Sequence, residues 1–433
     1  MTRAMKDSGI EWIGEIPEDW NLNRTKNYFK NHKDIVGENS DEYDRLALTL
    51  NGVIRRSKED STGLQPEAFD GYQILRKNEL VFKLIDLENI STSRVGLCPF
   101  ENGIVSPAYI VLTPRNNINP KYSEYYYLSM WHREIFNHIG DNGVRSSLNA
   151  KDLLNVPITI PSMPEQQKIA DFLDKKCSHI DSILEKTKAS IDECKQLKQS
   201  VITQAVTKGI RPNRPMKDSR IEWIGEIPAN WKVYPLKYLV DIPITDGTHN
   251  TPTYTDKENG SPFLSSKDIT SGHIDWSSIK YITKELHEQL QKEVAPKRND
   301  ILLAKNGTTG IGALVEEDIV FNIYVTLALI RPNQSIVLPK FLLYLINSSL
   351  CKIQYDKHLI GIGVPNLHLN IINNVKVIIT DAKDEQQEIV SYLDEKCSKI
   401  DKLITKKEQL IKELETYKKS LIYEYVTGKK EVI

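Results

Sequence analysis

Cysteine is sparse and scattered in this chain. Its 433 residues hold five, Cys98, Cys177, Cys194, Cys351 and Cys397, none in a C-x-x-C spacing. That excludes a disulfide framework and a zinc knuckle and predicts reduced thiols. Net charge is missing as well: 57 Lys and Arg face 58 Asp and Glu. Bulk basicity therefore gives no argument for a nucleic-acid partner, although a local basic face stays open. No apolar run approaches the roughly 18 to 20 residues of a membrane span, and the opening MTRAMKDSGI lacks the apolar core of a secretion signal. A cytoplasmic protein without a membrane partner is expected.

Catalytic signatures are absent too. There is no H-E-x-x-H, no G-x-S-x-G, no Walker A, no N-P-P-[YF] and no Cys/His cluster with zinc spacing. GTTGIG at Gly307 to Gly312 follows a strand-like run, but a phosphate-binding loop needs a helix directly after the glycines, and ALVEEDIVFN reads as another strand. A Gly-rich hairpin loop suited to close backbone approach is the expectation there. His249 and His273 lie in polar loop sequence that favours solvent or nucleic acid over a metal, and no metal site is expected. Asp394-Glu395-Lys396 mimics a nuclease carboxylate fragment, yet its counterpart is Asp174-Lys175-Lys176 on the same helical pattern, so a solvated helix face is expected.

What the chain does contain is a copy of itself. MKDSGIEWIGEIPEDW from Met5 returns as MKDSRIEWIGEIPANW from Met216, identical at 13 of 16 positions. EQQKIADFLDKKCSHIDSILEK from Glu165 returns as EQQEIVSYLDEKCSKIDKLITK from Glu385. Between the repeated segments the skeleton still aligns. Lys77 to Lys83 parallels Arg298 to Lys305 as a turn followed by a strand, and Pro120-Lys121 and Pro339-Lys340 each open one helix. The blocks run 1–164, 165–212, 213–384 and 385–433. The fold class is mixed α/β, with two variable domains at about 21–164 and 232–384 sharing one frame.

From Glu165 the apolar period becomes helical. Ala170, Leu173, Cys177, Ile180, Leu184, Thr187, Ile191, Cys194, Lys198, Val201 and Ala205 step by three and four, as do Val390, Leu393, Cys397, Ile400, Ile404, Lys407, Ile411, Leu414, Lys418, Leu421 and Tyr425. Neither stretch contains Pro, and Gly209 and Gly428 mark the stops. A seam this long needs a partner, because each buried large aliphatic side chain contributes roughly 1.5–3 kcal/mol. The nearest partner is the other copy, in an antiparallel coiled coil with a pseudo-twofold axis; the alternative is that each helix packs on its own domain. Lys198 and Lys418 hold matched seam positions, as register devices or snorkelling to solvent.

The variable domains carry loops rich in groups that read base edges and phosphates. In the first they are Thr49, Asn51, Arg55, Arg56, Lys83, Ser91, Thr92, Ser93, Arg94, Arg145, Ser146 and Asn149. In the second they are Thr245, Thr248, His249, Thr251, Ser266, Lys267, Lys305, Asn306, Thr308 and Thr309. The two copies keep their frame and differ most at these loops, as expected of a chain that recognises two different ligands at a fixed separation.

The paired W-I-G-E-I-P-x-x-W segments, the P-x-x-x-E-Q-Q-x-I start at Pro161 to Ile169, DGTHNTP at Asp246 to Pro252 and GVPNLHLN at Gly363 to Asn370 resemble the DNA specificity subunits of type I restriction-modification systems. The second copy departs from the helix start, with Asp381 in place of Pro. The resemblance covers essentially the whole chain. It implies two target-recognition domains, each reading half of an interrupted, asymmetric site in double-stranded DNA, with helices that set the spacing and hold two methyltransferase subunits. It also implies a non-catalytic chain without cofactor, since partner subunits, including restriction/translocase subunits, bind S-adenosylmethionine, ATP and Mg. The rival expectation is a coiled-coil scaffold that binds proteins and never touches DNA.

Overall fold

A computed structural model of the chain describes residues 3–60, 68–85, 87, 94–139, 147–359 and 365–432. They form two compact units, Met1–Lys188 with Glu408–Ile433, and Ala189–Lys407. The central helix, Met163–Lys208, and the C-terminal helix, Lys383–Val426, are each continuous, and both units take a part of each.

The first unit opens on a hairpin, Met5–Asp7 against Glu15–Pro17, that delivers Trp20 to the core. Its main sheet is antiparallel and four-stranded, in the order Phe29–Asn31, Ile110–Pro114, Leu80–Phe82, Val95–Leu97. A separate pair joins Asn21–Arg24 to Pro157–Ile160. Leu80, Val81 and Phe82 are buried without alternation, because this strand is covered on both faces. The turn before it is made by Asn78 at φ 64°, a conformation Asn tolerates better than most residues.

The second unit repeats this frame. Its hairpin is Met216–Asp218 with Glu226–Pro228, and its sheet runs Thr245–Asp246, Leu327–Ile330, Ile301–Ala304, Gly312–Leu314. Lys232–Pro235 pairs with Lys376–Ile379, and Asn299 takes the turn at φ 73°. The inserts differ. The first domain adds the hairpin Leu46–Thr49/Gly52–Arg55 and the pair Gln73–Arg76/Asn102–Val105. The second adds a mixed sheet of Tyr254–Thr255, Lys280–Thr283, Gly260–Leu264 and Asn322–Ile323, with the helix Lys284–Gln291.

The single helices expected after Pro120 and Pro339 are each divided. Pro120–His132 is followed by Ile135–Ile139, with Glu134 at φ 58° in the break. Pro339–Ile346 is followed by Ser349–Asp356, because Ser348 turns extended and its carbonyl accepts from the next turn.

Inside each unit the two long helices run antiparallel and pair, so the alternative in which each packs separately on its own domain does not hold, although the paired segments also pack on the domain. In the first unit Leu173, Cys177 and Ile180 share one core with Leu421, Ile422 and Val426, and Phe172 meets Tyr425 at 4.5 Å. In the second, Ile202, Ala205 and Val206 share a core with Val390, Leu393 and Cys397. The seam lysines settle as cross-helix ion pairs: Lys418 reaches Asp181 at 2.6 Å, and Lys198 reaches Asp401 at 2.7 Å.

The repeated motifs fasten each helix start to its domain. Arg3 Nη1 donates to Glu165 Oε1 at 2.5 Å and Trp20 Nε1 to Oε2 at 3.0 Å. Arg214 and Trp231 do the same to Glu385 at 2.6 and 3.1 Å, with Thr380 adding a third donor at 2.9 Å. Each guanidinium also lies over its indole, 5.5 and 5.2 Å from the centroid. The next glutamines bind backbone on both sides: Gln166 accepts from Asn119 N and Gln386 from Leu338 N, both at 2.8 Å. Asp394 is therefore no free solvated face. It accepts from Tyr344 Oη at 2.6 Å and pairs with Lys340, as Asp174 does with Tyr125 and Lys121. Glu395 pairs with Lys399, one turn along, on the exposed face.

Burial pushes the Glu385 carboxyl up, but the hydrogen bonds from Arg214, Thr380 and Trp231 outweigh it and hold the group below the ordinary carboxylate range. A depressed folded-state pKa contributes stability that is complete above the unfolded value of about 4.3 and is lost as pH falls through the folded value. Glu385→Ala, which strands Arg214, is expected to cost about 3–5 kcal/mol in urea unfolding at neutral pH. Glu385→Gln is expected to flatten the acid limb of the stability curve; an unchanged limb would contradict this role.

Candidate nucleic-acid interface

In the second domain three loops that are far apart in sequence meet beyond the ends of the main sheet strands. Lys305 directly follows Ile301–Ala304, and its backbone N–H donates to Thr326 O at 2.9 Å. Thr326 Oγ1 in turn accepts from Ser266 N at 3.0 Å, and Leu367 N donates to Lys305 O at 2.7 Å. Asn306 bridges to Asn366, which joins the KNGTT loop to the PNLHLN segment. The Lys305 side chain is 7% exposed, and its ammonium pairs with Asp246, which binds it to the DGTHN loop.

The DGTHN loop itself is held by backbone. Thr248 bridges to Tyr324, and its N–H donates to Ile323 O at 3.3 Å. A Cβ on Gly247 would fall on the Ile323 carbonyl, so only glycine allows this approach. Thr248 Oγ1 accepts from Asn250 N, while His249, Asn250 and Thr251 face solvent. A polar cavity of about 380 Å³ opens beside them, lined by Asp246, His249, Asn250, Glu293 and Asn322 among others. Ser265 and Asp268 form a capping box that presents Lys267 outward. Gly307 and Thr308 are exposed at the tip of a hairpin loop between two paired strands, as expected for GTTGIG.

In the first domain Asn51 sits exposed at the tip of its hairpin, where Thr49 Oγ1 accepts from Asn51 N and donates to Gly52 O. Arg55 is exposed, pairs with Asp44 at 2.9 Å and lies 4.8 Å over the Phe100 ring. Arg56 pairs with Asp60. Lys83 is half-buried beside Arg94, and Arg94 is turned inward, 1% exposed, its guanidinium donating to the carbonyls of Lys83 and Ile85. Asn149 spends its side chain on a capping box over Lys151 and Asp152. Ser91, Thr92, Ser93, Arg145 and Ser146 lie outside the described residues. Among the described residues no group of His, Cys, Asp and Glu could hold a metal, and no helix is long and apolar enough to cross a membrane.

A family model described as the type I restriction modification DNA specificity domain matches residues 22–193 and 228–416. This chain belongs to that family. The MjaVIII specificity subunit of Methanocaldococcus jannaschii is 25% identical over 413 residues, 91% of this chain and 89% of the relative. The EcoBI specificity subunit of Escherichia coli is 26% identical over 253 residues, 56% of this chain and 52% of the relative. Among solved structures, a chain from a type I R-M system is similar with TM-score 0.72 and 15% identity, covering 96% of this chain and 99% of that one. The HsdS subunit of Thermoanaerobacter tengcongensis follows with TM-score 0.50, 15% identity and coverage of 96% and 98%. These likenesses establish the fold: mixed α/β with two specificity domains, a long central helix and a C-terminal helix.

Within this specificity chain, the loop pattern singled out Thr245, Thr248 and Lys305 but passed over Asp246, Gly247 and Thr326, which hold those residues in place. The Asp-Gly dipeptide signals the turn locally; nothing local signals that Asp246 meets a lysine 59 residues onward. Phe100 under Arg55 and Lys280 over Tyr254, at 4.1 Å, are equally non-local. Gly247→Ala is expected to destabilise the second domain by about 1–3 kcal/mol through overpacking against Ile323. Thermal unfolding checks it, and an unshifted transition would contradict the close approach.

Proposed function

We propose that this chain is the non-catalytic sequence-reading subunit of its restriction-modification complex. Each domain reads one half of a bipartite, asymmetric site in double-stranded DNA. The two long helices set the distance between the half-sites and dock two methyltransferase subunits. S-adenosylmethionine, ATP and Mg act on partner subunits, and restriction/translocase subunits join through the complex.

The observation that carries the reading is one frame used twice with different inserts. The same strand order recurs in both main sheets, while a two-stranded hairpin in one domain is replaced by a four-stranded mixed sheet in the other. A repeated scaffold with dissimilar loops suits two dissimilar half-sites. The exposed polar groups support base and phosphate contact: Asn51 and Arg55 in the first domain, His249, Asn250, Thr251, Lys267 and Thr308 in the second. Docking on the helices is supported by exposed apolar side chains there, Leu410 and Tyr417 in the first unit and Leu197 and Leu403 in the second.

With a formal charge of -1, the chain alone gains little from counterion release. Weak DNA binding alone and tight, salt-sensitive, site-specific binding in complex are expected in gel-shift titrations; equal affinity of the complex for scrambled DNA would contradict the proposal. Replacing residues 21–164 with the corresponding domain of another specificity chain is expected to change one half of the methylated motif and leave the other half intact. Mapping methylated adenines reads this directly, and a motif altered in both halves would contradict it.

A further inference from the structure

The Asp246–Lys305 pair is not repeated at the matching position of the first domain, which holds Leu84. Counted from the turn asparagines Asn78 and Asn299, Lys305 falls at the position of Leu84 in the first domain: Leu84 O accepts from Leu148 N at 2.9 Å, and Lys305 O from Leu367 N at 2.7 Å. Leu84 is 1% exposed and belongs to the apolar core. The second domain thus buries an ammonium where its sister buries a leucine, and neutralises it with a carboxylate that is itself 12% exposed. A buried ion pair is a poor stabiliser compared with an apolar residue of similar volume, since desolvating both charges offsets most of their attraction. Stability alone does not account for it.

The geometry beyond the pair does. Asp246 Oδ2 takes the Lys305 ammonium, and Asp246 Oδ1 lies 3.2 Å from Nε2 of His249. His249 is 73% exposed at the tip of the loop. The buried lysine therefore fixes the carboxylate, and the carboxylate fixes an imidazole that faces outward beside the polar cavity.

We propose that Lys305 and Asp246 are positioning residues that aim His249 at a base edge of the half-site read by the second domain. This rests on the reading of the chain as a two-domain DNA reader. Base discrimination by hydrogen bonds needs a donor or acceptor held in one orientation, and an exposed histidine without a second partner would swing. In the role assigned here Lys305 touches no DNA itself.

The test uses the assembled methyltransferase complex and maps methylated adenines for Lys305→Met, Asp246→Asn, the double variant and His249→Ala. The double variant removes both charges together and so leaves no stranded ion to unfold the domain. Each is expected to lower discrimination at the same one or two base positions of the second-domain half-site by about ten-fold, with the first half-site unchanged. Combining Lys305→Met with His249→Ala is expected to relax those positions no further than either alone. Arg331→Met is the control. It breaks another buried pair, Asp300 with Arg331 at 2.7 Å, at the opposite end of the same strand, and should lower stability without altering the motif. A motif unchanged in the Lys305 and Asp246 variants overturns the proposal, as does equal relaxation in Arg331→Met. If the methylated motif does not depend on this chain at all, the two-domain reading fails with it, an outcome distinct from an unchanged motif.

Discussion

A single carboxylate at the start of each long helix, half-buried at Glu165 and buried at Glu385, is the contact on which the rest of the structure depends. Glu165 and Glu385 each gather a guanidinium and an indole from the repeated Trp segment. A carboxylate in the first turn is also favoured by the partial positive charge of the helix N-terminus. Fixing the helix start fixes the direction in which some 44 to 46 residues leave the domain. It is the reason the WIGEIP and EQQ segments are repeated nearly unchanged while the sequence between them drifts.

Given that anchor, the domain needs only to keep its main sheet and the short helices that cover it. The segment inserted between the first and second sheet strands has changed most. The inserts end in exposed polar tips such as Asn51 and His249, whereas the frame positions are apolar and buried, such as Leu80 to Phe82 and Ile301 to Ala304. A scaffold that tolerates new loops without new anchors can acquire new DNA specificity at small cost in stability.

The parts legible in sequence are those governed by a short period or a repeat. The seam from Ala170 to Ile191 is almost wholly buried, since a three-four period leaves one face no other environment. Farther on, Cys194 and Lys198, like Ile400 to Leu414 on the second helix, are only half-buried. The break at Glu134 was hidden by helix-forming sequence on both sides, whereas Asn347-Ser348-Ser349, residue types that favour caps, marked the one at Ser348. At the site, loops presenting Asn51 or Thr308 could be found by their turn chemistry. The inward turn of Arg94 could not, because its acceptors are backbone carbonyls across a hairpin. The cap made by Asn149 was signalled by Asp152 three residues on, the spacing of a capping box, and reads as structure at least as readily as DNA contact.

The central claim is that the paired helices act as the ruler between two independently read half-sites. Its most direct measurement is the methylated motif of a complex whose specificity chain carries one extra heptad in both the central and the C-terminal helix. Seven residues add about 10.5 Å of helix, so the unread spacer is predicted to lengthen by about three base pairs at ~3.4 Å each, with both half-sites intact. An unchanged spacer in a variant that still methylates would contradict the account.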